Sequence, residues 1–157
     1  MRIEYINPFV DAAFNLLKEV LQTDKIQRGD LYLKSVSQSI LGVAAIVGLT
    51  GDVEGRVLFD MTRETALEVA RKMNEPDELA GFDEMAKATI NELANMITAH
   101  AVTKLHEIGF KFDITPPAII TGQNMEVTNA SGVEALIVPA VTPYGKIEIN
   151  VAIRERA

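Results

Sequence analysis

The residues from Phe82 to Ile108, FDEMAKATINELANMITAHAVTKLHEI, contain neither glycine nor proline and run up to Gly109. Ala86, Ile90, Leu93, Ile97, Ala101, Leu105 and Ile108 recur in steps of three and four, which draws one core-facing stripe along a single long helix. Gly109 suits the left-handed position that closes such a helix, with His106 near its last carbonyls. A helix with so long an apolar stripe needs a second layer to cover it.

The polar side of the helix is unusual. At about 100° per residue, Glu92 and Asn95 are roughly 60° apart, one turn from each other, and both point away from Leu93. Ala88 and Ala99 fall on the same face, one turn before Glu92 and one turn after Asn95. A carboxylate and a carboxamide flanked by methyl groups make a low surface that another backbone can approach. A purely solvated face more often carries Lys, Arg or Glu at the flanking positions. Asp83 and Glu84 need no such reading, because negative charge is favoured at a helix N-terminus.

The rest of the chain supplies the other layer. Asn7-Pro8 reads as the N-cap and first residue of a helix whose apolar positions Phe9, Val10, Ala13, Phe14, Leu17, Val20 and Leu21 carry it to about Gln22. Leu31–Val36 reads as a strand. Ile40–Leu49 and Val53–Met61 read as two more, joined by a hairpin turn at Thr50-Gly51-Asp52. Gly48, Gly51 and Gly55 belong to that hairpin; no Lys-Ser/Thr and no helix follow, as a phosphate-binding loop requires. Thr62 caps a helix over Arg63–Met73, which Asn74-Glu-Pro-Asp ends. Beyond Gly109 come an extended Phe110–Ile114, the helix-breaking Thr115-Pro116-Pro117, and a short strand Ala118–Thr121. A polar loop follows over Gln123–Ser131, then strands Val133–Val141 and Lys146–Ile153 about the turn Thr142-Pro-Tyr-Gly145. One helix, strands, two successive helices and strands again predict an α+β layered fold, with the helices on a largely antiparallel sheet, in one domain spanning residues 1–157.

Composition excludes several kinds of function. The net charge is −7 and no basic run is interleaved with aromatics, which argues against nucleic-acid binding. Without cysteine there is no disulfide and no thiolate chemistry. No apolar run approaches a membrane span, and MRIEYINPFVDAAF has no signal-like pattern, so the expected setting is the cytoplasm. His100 and His106 are roughly 120° apart on the long helix and cannot share a metal ion from it alone; one partly buried and one capping histidine is the expectation. A Glu-x-x-Asn tetrad is not specific by itself. It recurs at Glu126–Asn129 in a loop, where it carries nothing.

Its setting is specific. Glu92, two residues, Asn95, twenty-one residues and Pro117 follow the spacing of the CheC–CheX–FliY phosphatases of bacterial chemotaxis, whose pattern is Asp or Ser, three residues, Glu, two residues, Asn, about twenty-one residues, Pro. INELANMI, DITPPAIITG and the hairpin VGLTGDVEGRVLFDM resemble the CheX side of that family, as does the presence of one credible Glu-x-x-Asn helix where CheC-like members carry two. One position departs: Ala88 stands where the family has Asp or Ser, and Thr89 offers its hydroxyl about 100° around the helix.

The resemblance implies hydrolysis of the aspartyl phosphate of a CheY-like response regulator. It implies that Asn95 orients the attacking water and that Glu92 pairs with the receiver's lysine. Ala88, Thr89, Ala99 and Pro117 would lie at the docking surface, with Ala88 and Ala99 leaving room for the receiver. No cofactor of the chain's own is implied, since the receiver brings its own Mg. A homodimer formed through sheet edges, with the late strands as the edges, is also implied. The alternative of another class is a non-catalytic, dimeric receiver-binding module of the same fold, which Ala88 keeps open. A small-molecule site under Thr115–Pro117 has no particular residue to support it.

Overall fold

In a computed structural model, residues 3–34, 37–128 and 133–156 are described, the side chains of Ser37 and Gln38 excepted. The elements run α1 (Ile3–Val20), β1 (Gln27–Arg28), β2 (Tyr32–Lys34), β3 (Ser37–Ser39), β4 (Val43–Gly51), β5 (Val53–Met61), α2 (Arg63–Met73) and α3 (Glu84–Glu107). They continue with β6 (Phe112–Ile114), β7 (Ala118–Thr121), β8 (Glu126–Thr128), β9 (Ala135–Thr142) and β10 (Gly145–Glu155). Among the described residues the strands form an eight-stranded sheet ordered β1-β9-β10-β5-β4-β6, with β2 also on β9 and β7 also on β4; β3 and β8 make a separate ribbon. Every strand pairing is antiparallel. The three helices on this sheet are the α+β arrangement expected from the order of elements.

The helices lie on one face. Val43, Ala45, Val47 and Leu49 of β4, Val57, Phe59 and Met61 of β5, and Ile147, Ile149 and Val151 of β10 meet Phe9, Leu17, Val69, Ile90, Ile97 and Leu105 in one buried cluster. The opposite face is also covered. Ile40, Ala44 and Leu58 pack there with Ile46 of β4 and with Met125 and Val127 from around the β3–β8 ribbon. Burial on both faces explains why Val53–Met61 alternates imperfectly: the run from Val57 to Met61 is buried throughout.

Four sequence expectations change. The first helix starts at Ile3, not at Asn7, and Pro8 lies inside it. Proline there removes only the bond to the Glu4 carbonyl. Burial of Tyr5 and Ile6 draws the earlier turn into the helix, with the Tyr5 ring edge-on to Phe110 at 4.9 Å and Phe112 at 5.6 Å. Of the strand expected over Leu31–Val36, β2 covers Tyr32–Lys34 and Leu31 falls outside it, while residues 35–36 lie outside the described residues. The loop expected at Gln123–Ser131 contains β8, fixed by pairing with β3; the Asn129 of its tetrad lies outside the described residues. The late strands are not sheet edges. β10 sits between β9 and β5, while β9 carries β1 and β2 on its other side.

Candidate functional site

α3 is fixed at both ends. The Asp83 side chain accepts from Ala86 N, and the last turn closes through Gly109 N to His106 O at 3.1 Å and Phe110 N to Leu105 O at 2.9 Å. Gly109, at φ 98°, takes the left-handed position this closure requires. Ile90, Leu93, Ala94, Ile97, Ala101 and Leu105 bury the inner stripe. Thr89 is tied to α2: its hydroxyl donates to Met85 O at 2.8 Å and accepts from Asn74 Nδ2, which caps α2, at 2.7 Å. The helix is therefore a rigid rod, and what projects from its other side is held in place.

A bulge faces that side. β6 and β7 both pair with β4, but Leu49↔Ile114 and Ile46↔Ala118 leave three residues, Thr115 to Pro117, opposite two, Val47 and Gly48. Two prolines cannot donate to a ladder, so the chain swings outward. Thr115 anchors the swing: its N donates to Gly48 O at 3.0 Å, and Gly48 N donates to its Oγ1 at 2.8 Å. A side chain at Gly48 would press on Thr115, with Cγ2 only 3.0 Å from an added Cβ. At the hairpin tip, Asp52 N donates to Lys111 O and Lys111 N to Asp52 Oδ2, each at 2.8 Å, which fixes the start of β6.

Helix and bulge enclose a cleft of about 520 Å³, lined by Ala88, Asn91, Glu92, Asn95, Ile114, Thr115, Pro116 and Pro117. Glu92 is exposed and Asn95 half-buried. Among the described residues, their side chains make no hydrogen bond or ion pair. The structure thus brings together Ala88, Glu92, Asn95 and Pro117. It does not bring Thr89 into this cleft, because its hydroxyl is committed to Asn74 and Met85, and Ala99 is exposed beyond the lining. Sequence reasoning missed Asn91 and Ile114, and raised Thr115 and Pro116 only for a small-molecule site. Asn91 had a signal: it lies four residues before Asn95, on nearly the same face.

The histidines differ from expectation. His100 is exposed, and His106 contacts not the last helical carbonyls but β6, with Nε2 2.9 Å from Phe112 O. Among the described residues no three His, Asp or Glu side chains converge as a metal site. No helix among them is long and apolar enough to cross a membrane.

A second polar cluster was not foreseen. On the sheet face away from the helices, Asp60 of β5 stands directly across from Glu148 of β10. Both are buried; Leu41 N donates to Asp60 Oδ1 and Oδ2 at 3.0 Å each, and the Tyr32 hydroxyl donates to Glu148 Oε2. Burial pushes the Asp60 carboxyl up to about 7, against the backbone donor Leu41 and with the Glu148 charge adding to the rise. Burial, then the contact with Glu148, raises the Tyr32 phenol. An acid inside each of two apolar strand runs, VLFDM and KIEIN, was the available signal.

A long helix presenting a carboxylate and a carboxamide to a proline-walled cleft, over an antiparallel sheet, defines the CheC-like fold. A CheC-like superfamily protein from Shewanella sp. PV-4 superposes with a TM-score of 0.87 at 26% identity, over 98% of this chain and 99% of its own. Residues 43–140 match the family model of the chemotaxis phosphatase CheX, and the chain belongs to that family; it is a phosphatase, and so a hydrolase. The curated CheY-P phosphatase CheX of Thermotoga maritima is 28% identical over 127 residues, 81% of each chain. A chain from the CheX–CheY–BeF3–Mg complex of Borrelia burgdorferi is 51% identical, with a TM-score of 0.84 over 98% of this chain and all of that one.

Proposed function

We propose that this chain hydrolyses the aspartyl phosphate of a CheY-like receiver, with Asn95 and Glu92 as the acting residues. The observation that carries the reading is the cleft itself: Glu92 and Asn95 leave one face of a rigid helix opposite Pro116-Pro117, their side chains without a partner among the described residues. The Borrelia relative, solved with CheY, BeF3 and Mg, supplies the class of partner; beryllium trifluoride on a carboxylate has the shape of a phosphoryl group.

An acyl phosphate is labile, and a receiver brings a lysine and its own Mg to the phosphoryl oxygens, so the chain needs no cofactor of its own. What remains is to place water in line with phosphorus. The Asn95 carboxamide accepts a hydrogen bond from the water through its oxygen while the other end of the group donates. Water oxygen bonds to phosphorus, the bond to the aspartyl oxygen breaks, and the carboxylate leaves as inorganic phosphate takes up the water's elements. Glu92, one turn away and exposed, pairs with the receiver's lysine and sets the register. A helix holds both groups more rigidly than a loop, which is what positioning requires.

The test is phosphate release from a phosphorylated CheY-like receiver by the wild-type chain and by Asn95→Ala. The expected loss is roughly 10²–10³-fold, the effect of deleting one preorganised group. Equal rates would remove Asn95 from the mechanism. Ala88 favours the second reading, because no polar group fills the cleft position where relatives carry Asp or Ser. A receiver-binding module would hold the phosphorylated receiver without speeding its dephosphorylation. A homodimer belongs to either reading, and sedimentation of the purified chain decides it.

A further inference from the structure

Asn91 lies three residues after Ala88 and four before Asn95, and all three line the cleft. Its Oδ1 is buried and has no hydrogen-bond partner among the described residues. An unpaired buried amide oxygen costs stability that a hydrocarbon of the same size would not, so its presence needs a reason other than folding. Ala88 offers no donor, the Thr89 hydroxyl donates to Met85 O, and the Thr115 hydroxyl is held at the bulge by accepting from Gly48 N. The Asn95 amide stands on nearly the same face of the helix, four residues along and about 40° around, a spacing at which helices support amide pairs.

Asn95 has a need that this would meet. A carboxamide is nearly symmetric in shape, so its oxygen and nitrogen can exchange places at little steric cost. Only the oxygen accepts a hydrogen bond from the attacking water. Some neighbour must hold the nitrogen turned away. We propose that Asn91 is the positioning residue of this site: with a phosphorylated receiver seated in the cleft, Asn91 Oδ1 accepts a hydrogen bond from Asn95 Nδ2 and leaves Asn95 Oδ1 to the water. The inference rests on the role given to Asn95 above. Hydrogen bonds that act in catalysis are often incomplete before the partner arrives, which agrees with an oxygen left unpaired in the free chain.

The experiment uses the full chain with Asn91→Leu and Asn91→Asp, each alone and combined with Asn95→Ala, and measures phosphate release across receiver concentrations together with Tm. Asn91→Leu is expected to lower kcat about tenfold, equivalent to about 1.4 kcal/mol, with KM unchanged, and to raise Tm by about 2–4 °C through loss of the unpaired oxygen. Asn91→Asp keeps the acceptor and is expected to hold most of the rate. In the Asn95→Ala background, Asn91→Leu is expected to change nothing more, because it acts through Asn95. Full kcat in Asn91→Leu, a raised KM with kcat intact, or an equal loss in both backgrounds would each overturn the proposal. If Asn95→Ala is as fast as wild type, the role of Asn95 falls; if Asn95→Ala is slow while Asn91→Leu is fast, only the role of Asn91 does.

Discussion

Replacing Asp60 with asparagine tests the buried acid pair and gives a stability change whose sign depends on pH. Asp60 is 1% exposed and Glu148, directly across from it, 8%. Burial, the largest influence, lifts the Asp60 carboxyl from 3.8 to about 7. Between those values the folded chain keeps a proton that the unfolded chain has released, so the folded state binds more protons and its stability falls as pH rises. Above about 7 the loss is complete, and it amounts to roughly 4 kcal/mol at about 1.4 kcal/mol per pH unit. The substituted carboxamide would still accept from Leu41 N and carries no charge to set against Glu148. Asp60→Asn is therefore expected to match wild type below about pH 4 and to exceed it by roughly 4 kcal/mol near about pH 8.5. Urea denaturation followed by far-UV circular dichroism is the assay, since the chain has no tryptophan. The difference between the two proteins isolates this group from every other titrating side chain. A difference that stays the same across pH, or that favours wild type at high pH, would refute the argument.

Other perturbations report on how the cleft is built. Thr115→Val removes the acceptor of Gly48 N while keeping the shape; it is expected to cost about 1 kcal/mol in denaturation and to slow phosphate release by loosening the Pro116-Pro117 wall. Gly51→Ala places a Cβ 2.3 Å from Lys111 O at φ 109°; a loss of about 2–3 kcal/mol in urea unfolding is expected, with β6 shifted from its register. Phe112→Ala empties a fully buried site beneath Tyr5 and Phe9 and is expected to cost about 3–5 kcal/mol, read as a lower urea midpoint.

The parts of this fold that were legible in the sequence are those set by local rules. The α3 span could be placed within two residues because an apolar stripe, an acidic first turn and a closing glycine are each local signals. Thr62 and the Thr50–Asp52 hairpin were readable for the same reason. Pro8 misled because its local preference lost to the burial of Tyr5 and Ile6, which depends on Phe110 and Phe112, more than 100 residues away. β1, β2, β3 and β8 are two or three residues long, and no periodicity is visible over so short a span. Their existence depends on β9 and on each other, partners that a sequence does not mark.

The same contrast holds within the site. Glu92, Asn95 and Pro117 could be connected by spacing, and spacing along one chain is what a sequence displays. The cleft wall could not, because it arises from a mismatch: β6 and β7 follow β4 in registers that differ by one residue, and the prolines absorb the difference. A bulge of this kind aims three residues at a helix with which they share no sequence pattern. Asn91 was passed over for a related reason. On paper its place one turn before Asn95 was the one signal, and a polar residue there also suits a solvated position. In the folded chain its oxygen is buried in the cleft with no donor among the described residues, and it is that cost, borne beside Asn95, that separates a residue kept for function from one kept for solubility.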